Sequence, residues 1–344
     1  MTQRSPAIEA ALQRVIGKAL EARQRGDGRP FMVGHFITNR CMCKCASCLW
    51  RDNESKDVGL EDLKRFYAEA RDEGFVAAAL SGGEPFLRSD LGEVVRFIKQ
   101  EAGMSVLLFN TGWYLKKRMD EVLPYIDMMI VSLDSARAER HDAIRGLPGL
   151  FDRAVEGVRL VKEKYPDVSL QFNVCVQQGI AEEIDDLIAL ATSLAVKISF
   201  DVITEYRNGE GGPHVETDMG LPRPELQAVC SKLIQRKRDG APILNSESYF
   251  EYFITDRPSY RCHLPKLVMF VDGRGDAEYC LNLSKPIANI RDTPLREIME
   301  LAQFKQLRSE AERCSSCNSP TMVDLSQVWE NPALAFAPGG IAVG

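Results

Sequence analysis

Four cysteines fall within eight residues between Arg40 and Leu49: Cys41, Cys43, Cys45 and Cys48. Three of them, Cys41, Cys45 and Cys48, are spaced as C-x3-C-x2-C. Three thiolates can ligate three irons of a [4Fe–4S] cluster, whose complete protein ligation takes four. The remaining iron would be open, and an open metal position is where chemistry happens. A structural zinc–thiolate cage is the alternative, although zinc ligands usually come as two separated pairs and this loop is compact. Cys43 has no place in the spacing and reads as a bystander thiol.

The next chemically suggestive stretch is Ser81-Gly82-Gly83-Glu84-Pro85, directly after the apolar run Phe75–Leu80. Glycines at the carboxyl end of a strand let a ligand approach the backbone. Glu84 adds a fixed negative charge able to accept from a ligand ammonium. An ordinary strand-to-helix turn could carry the same residues. Together, the cysteine loop and this element resemble those of the radical S-adenosylmethionine (SAM) superfamily. That resemblance implies a cluster whose open iron chelates SAM, with Gly82, Gly83 and Glu84 at the SAM amino group. It also implies reductive cleavage of SAM to a 5′-deoxyadenosyl radical. The aromatic residue usual before the third cysteine of that family is replaced here by Ser47.

A second set of cysteines lies near the C-terminus. Cys262 and Cys280 flank an apparent hairpin, Leu267–Val271 turning at Asp272–Gly275, and Cys314-Ser-Ser-Cys317 follows. Two separated pairs can close a four-thiolate site, and a zinc ribbon has the same ligand arithmetic. The C-x12-G-x4-C spacing followed by CxxC resembles the twitch module, a shortened SPASM domain. The module implies one auxiliary [4Fe–4S] cluster, fully ligated by protein and suited to electron transfer or structural support. Cys175 and Cys230 read as buried bystanders. His35 and His263 are either tuning residues near a cluster or satisfied core histidines.

These residues need a scaffold, and the apolar periodicity supplies one. From Phe31 to about Glu205, strands expected at 31–37, 75–80, 105–109, 128–133, 168–176 and 196–203 alternate with helices at 60–70, 90–102, 115–122, 150–164 and 181–193. Six strand–helix steps imply a parallel sheet with crossover helices. The resemblance turns this into an α/β fold, a partial (β/α)6 barrel with a small C-terminal α+β twitch-like domain. The organisation expected is an amphipathic helix in 1–30, the barrel in 31–205, a linker and helical segment in 206–260, the twitch-like domain in 261–320 and a tail in 321–344. Ile8, Leu12, Val15, Ile16 and Leu20 mark the apolar face of the first helix, which packs on the barrel or lies on a membrane surface. Asn208–Pro213 signals a loop. The aromatic run Tyr249–Phe253 reads as a core helix or one wall of a substrate cavity.

Ligand sites on such sheets sit at the carboxyl ends of strands, where Asn110, Ser132, Asp134 and, inside the fifth strand, Asn173 fall. Asp134 and Ser135 are good helix N-caps, and Asn173 could satisfy a buried backbone group. With His141 and Arg145-Gly146 they also resemble the "SLD…H…RG" stretch of molybdenum-cofactor and sulfatase-maturase relatives. That implies contacts from Asn110, Ser132, Asp134, Arg145 and Asn173 to SAM, Arg145 pairing with its carboxylate. Asp201 and Glu205 end the last strand and face substrate or solvent.

Composition sets bounds. The 344 residues are 45% hydrophobic and 27% charged, with a net charge of −6, which argues against a general nucleic-acid binder. The N-terminus lacks a sustained apolar stretch, no run approaches a membrane span, and ten cysteines without a secretory signal suggest reduced metal ligands in the cytoplasm. The expected activity is radical SAM chemistry on a small-molecule or lipid-like metabolite, because the 30 residues ahead of the barrel are short for a peptide-leader-binding domain. A twitch/SPASM-type peptide or protein maturase is the alternative, and a non-catalytic iron–sulfur or zinc redox sensor is the reading from another class. An electron donor such as flavodoxin or ferredoxin is the expected partner.

Overall fold

A computed structural model describes residues 6–26, 28–46, 48, 53–203, 219–255, 260–278, 280, 286–315 and 317–335, except the side chains of 6–9, 12 and 335. Glu205 and the loop Asn208–Pro213 lie outside them, as does Ser47. The first part of the chain runs α1 (Pro6–Arg25), β1 (Met32–Phe36), α2 (Leu60–Asp72), β2 (Ala77–Ser81), α3 (Leu91–Arg96), β3 (Ser105–Asn110), α4 (Leu115–Val122), β4 (Met128–Ser132), α5 (Ala138–Arg145), α6 (Leu150–Lys164), β5 (Ser169–Val176), α7 (Ile184–Ser193) and β6 (Lys197–Val202). It continues with α8 (Arg223–Arg238), α9 (Glu247–Ile254), β7 (Val268–Val271), β8 (Asp276–Glu278), β9 (Ala288–Asn289), α10 (Leu295–Glu300), α11 (Ala302–Ala311) and α12 (Pro320–Glu330).

Strands β1 to β6 lie side by side in chain order, every neighbour parallel, as the six strand–helix steps require. The hairpin joins the same sheet: β7 pairs in parallel with the free edge of β1, and β8 and β9 follow antiparallel. Among the described residues nine strands therefore form one sheet, in the order β6-β5-β4-β3-β2-β1-β7-β8-β9.

Alternation along the strands sorts side chains to two faces. Val33, Leu80, Val106, Met129, Phe172 and Phe200 are buried in the main core with the helices. On the other face β1 and β2 present Gly34, Ala77 and Ala79, and the small residues leave room for a lumen of about 300 Å³. Helix α1 closes its floor. Ala11 and Val15 line the lumen while Ala19 and Ala22 pack with Phe31 and Trp329. The apolar stripe is rotated from the expected one, since Leu20 is 39% exposed and alanines take its place.

Several helices depart from the periodicity. The 90–102 segment is α-helical only to Arg96 and continues as a π turn over Phe97–Glu101. Helix α5, with few apolar residues, was not expected. Past β9 the helical stretch is broken at Leu301, whose backbone is extended, into α10 and α11. The anticipated tail starts with α12, whose Ser319–Leu325 side lines the lumen.

Arg88 fixes β1 just where the cysteine loop begins. Only 3% exposed, it donates to Ile37 O at 3.1 Å and Val58 O at 3.0 Å while gripping Asp90 at 2.8–2.9 Å. Arg88→Ala strands two buried carbonyls and a carboxylate. It should cost about 3–5 kcal/mol in denaturant unfolding, with partial recovery in Arg88→Lys, which cannot reproduce the guanidinium fork.

Candidate active site at the strand carboxyl ends

The cysteine loop rests on the ends of several elements through main-chain contacts. Gly83 N donates to Thr38 O and Glu84 N to Arg40 O, both at 2.8 Å, and Lys44 N reaches Arg145 O at 2.8 Å. Asn39 bonds Asp272 and Gly273 in the β7–β8 turn at 3.3 Å, and Cys41 N donates to Asn53 Oδ1 at 2.9 Å. Gly82 (φ +135°) and Gly83 are explained by this packing, because a methyl group on either would collide with the carbonyl of Thr38 or Arg40. The glycines admit the loop's own backbone. Gly146 (φ +60°) plays the same part at the end of α5, with Lys44 Cβ only 2.8 Å from where its own Cβ would stand.

Cys41, Cys45 and Cys48 are each half-buried, whereas Cys43 is buried. Hydrogen bonding from Cys43 lowers the Cys41 and Cys45 thiols, and the same contacts, with burial, raise Cys43. Arg145 also lowers Cys45. Among the described residues, no three His, Cys, Asp or Glu side chains converge tightly enough to hold a single metal ion.

Glu84 is fully buried. Its Oε1 accepts from Phe86 N at 3.0 Å, and its Oε2 from Thr111 N at 2.8 Å and Thr111 Oγ1 at 2.6 Å. Burial raises its pKa, and those donors and Arg145 oppose the rise. A carboxylate offers about four acceptor positions, so one is left for a ligand donor. Thr111 is the partner the sequence reading did not single out; it directly follows Asn110, the only signal available. Asn110 braces its own turn, accepting from Gly112 N at 2.8 Å and donating to Ile130 O at 3.2 Å.

Asp134 and Ser135 do not cap α5, whose N-cap is Arg137 without a side-chain bond. Asp134 accepts from Cys175 N at 2.9 Å and lies 2.6 Å from Arg145 Nε, an ion pair without hydrogen-bond alignment. Burial works against the Arg145 charge, and Asp134 together with the Cys45, Cys43 and Cys175 thiols outweighs it. His141 Nδ1 accepts from Asp134 N at 3.1 Å, its Nε2 has no partner among the described residues, and burial lowers its pKa to about 4. Ser135 donates to Glu183, which also pairs with Arg137 and Arg140. Ser132 ends β4 half-buried, opposite Asn173 in register.

Asn173 serves side chains, where a backbone partner was a possibility: its Oδ1 accepts from Ser199 Oγ at 2.6 Å and its Nδ2 donates to Asp201 at 3.3 Å. Asp201 and, on α12, Asp324 line the lumen, and burial pushes each up to about 7. His35 lies on the helix-packed face of β1, with Nδ1 2.9 Å from Tyr67 OH, and is a core histidine. Cys230 is a buried residue of α8. Cys175 is half-buried at the end of β5.

Cys262, Cys280, Cys314 and Cys317 are half-buried and lie in one electrostatic neighbourhood: burial, then the other three thiols, pushes Cys317 up to about 12. The region is tied to the barrel wall. Tyr249 donates to Asn318 O at 2.6 Å and accepts from Val202 N at 3.0 Å, and Cys317 N donates to Tyr252 OH at 3.0 Å. Helix α9 is thus a core helix. His263 stacks toward Trp329 and reaches Glu330 at 3.0 Å.

The Radical SAM superfamily model matches residues 36–191, and a SPASM iron–sulfur cluster-binding domain model matches 262–318. The chain belongs to the radical SAM superfamily, with a SPASM/twitch-type C-terminal domain, and is an enzyme of that class. An AdoMet-dependent heme synthase of Methanosarcina barkeri is 28% identical over 84% of this chain and 87% of its own length. A GTP 3′,8-cyclase of Nautilia profundicola is 30% identical over 62% of this chain and 67% of its own. The fold resembles Streptococcus suis SuiB in a crystal structure with S-adenosylmethionine, at TM-score 0.68 and 15% identity, covering 82% of this chain and 68% of SuiB.

Gly83→Ala tests the packing of the loop. Intrusion on Arg40 O should cost about 1–3 kcal/mol and lower iron retention after anaerobic reconstitution, whereas Gly17→Ala in α1, whose Cβ meets nothing within 4 Å, should leave iron content unchanged.

Proposed function

We propose that the enzyme reductively cleaves SAM to a 5′-deoxyadenosyl radical, which abstracts hydrogen from, or adds to, a small and largely apolar molecule held in the barrel lumen. Cys41, Cys45 and Cys48 would hold one [4Fe–4S] cluster and Cys262, Cys280, Cys314 and Cys317 a second, with flavodoxin or ferredoxin as electron donor. The donor sets fit: three half-buried thiols on one braced loop beside Arg145, and four thiols sharing one field. When bound, the first cluster supplies the electron that opens the SAM sulfonium. Glu84, with an acceptor position left, would take the SAM ammonium beside Gly82 and Gly83. Arg145 would take the carboxylate, with Asp134 holding the guanidinium, and Asn110, Ser132 and Asn173 would flank the remainder.

The lumen carries the substrate reading. Phe36, Leu107, Phe109, Met128 and Phe270 make one wall apolar, and no Lys or Arg is among the described lining residues. The described lining thus offers no counter-charge for the phosphates of GTP or the propionates of a heme, the compounds named for the two relatives. A second reading, an iron tetrapyrrole substrate, is favoured by the heme-synthase similarity along 84% of the chain.

Reduced, reconstituted protein incubated anaerobically with SAM should form 5′-deoxyadenosine, and apolar small molecules should raise it above the uncoupled background. A rise only with an iron tetrapyrrole would replace the small-molecule reading, one only with a peptide would make the protein a maturase, and no product at all would overturn the chemistry. Iron should total about eight per chain, falling to about four when Cys41, Cys45 and Cys48 are all replaced by Ala. Zinc in place of the remaining iron would overturn the second cluster. Cys43→Ala should keep full iron, and equal loss there would reject the three-cysteine ligand set.

A further inference from the structure

The lumen has two unlike walls. Across from the apolar one, β5 and β6 direct Gln171, Asn173, Ser199 and Asp201 inward, and α12 adds Asp324. The donors of this wall are largely used within it. Asn173 Nδ2 is spent on Asp201, Ser199 Oγ on Asn173 Oδ1, and Ser246 Oγ on Asp324 Oδ1 at 2.7 Å. What the wall still offers is acceptors. Gln171 is only 4% exposed and its Oε1 has no partner among the described residues, a cost that a ligand donor would relieve. Burial, then Asp134 and Asp324, raise the charge cost of Asp201, Lys237 offsets part of that of Asp324, and no Lys, Arg or His lines the lumen among the described residues.

We propose that the lumen takes an amphiphilic amine, its ammonium held by Asp201 and Asp324, a second hydrogen-bond donor received by Gln171, and its hydrocarbon laid on Leu107, Phe109, Met128 and Phe270. Asp201 pairs in register with Cys175, four residues beyond Gln171 on β5, so the two polar ends stand about 13 Å apart along the lumen at about 3.3 Å per residue, of which two hydrogen bonds of about 2.8 Å take up part. A chain of some six carbons therefore joins the two polar ends. The inference rests on the lumen being the substrate site and names the substrate class it selects. A cation between two desolvated carboxyls relieves their mutual repulsion, which a carboxylate would aggravate.

The test is calorimetric titration of the iron-loaded enzyme with SAM, using 6-amino-1-hexanol, hexylamine, 1-hexanol and hexanoate as probes. 6-Amino-1-hexanol should bind tightest, hexylamine about tenfold tighter than 1-hexanol, and hexanoate not at all. Asp201→Asn and Asp324→Asn should each weaken hexylamine about tenfold while sparing 1-hexanol, and Gln171→Leu should erase the advantage of 6-amino-1-hexanol over hexylamine. Two variants on different elements keep the test open if one does not fold, as judged by iron content and melting temperature. Hexanoate binding as well as hexylamine, unchanged amine affinity in both Asp variants, or no binding of any probe would overturn the proposal. If only 1-hexanol binds, or neutral molecules alone raise 5′-deoxyadenosine, the amine assignment falls and the small-molecule reading stands.

Discussion

The architecture depends on backbone packed against backbone at the carboxyl ends of the strands. Thr38 and Arg40 carbonyls receive the amides of Gly83 and Glu84, and the carbonyl of Arg145 receives Lys44. Such contacts tolerate no side chain between the partners, and they exist only while β1, β2 and the end of α5 keep their relative heights. A one-residue slip of a strand would turn its lumen side chains into the helix layer. Arg88, buried beneath the loop, holds Ile37 and Val58 together and makes that register costly to change.

The same alternation makes the lumen asymmetric. Small residues on β1 and β2 open space, Leu107, Phe109 and Met128 make the middle of the β3 and β4 side apolar, and Gln171, Asn173, Ser199 and Asp201 make the β5 and β6 side polar. Burying polar side chains is costly unless they are bonded, and Asn173, Ser199 and Asp201 meet that requirement with one another. Asn245 binds both the N–H and the C=O of Phe200 on β6, at 2.7 and 3.0 Å.

The C-terminal cysteine region is continuous with this wall. Tyr249 bonds to β6 on one side and to Asn318 on the other, while β7 extends the sheet from β1 and α12 contributes Asp324 and Leu325 to the lumen. Aromatic side chains suit this bridging role because each brings a large apolar body and one polar tip. A change at Cys317, whose amide holds Tyr252, is therefore mechanically linked to the barrel.

The sequence by itself determined the parallel order of β1 to β6, because buried parallel strands are short apolar runs and the crossover helices carry a 3.6-residue period. It also determined the family, because the cysteine spacing and the Gly82-Gly83-Glu84 element are local patterns. It did not reveal α5, which has little apolar periodicity, or the place of β7, since strand partners across more than 200 residues leave no local trace. Tertiary structure alone decided that Gly82 and Gly83 serve the cysteine loop, that Thr111 holds Glu84, and that His35 belongs to the helix-packed core. It alone brought Asp324, from the expected tail, to the lumen that Asp201 faces. Periodicity reports which face of a segment is buried; which partner covers that face is a non-local choice, made only when the whole sheet closes around its lumen.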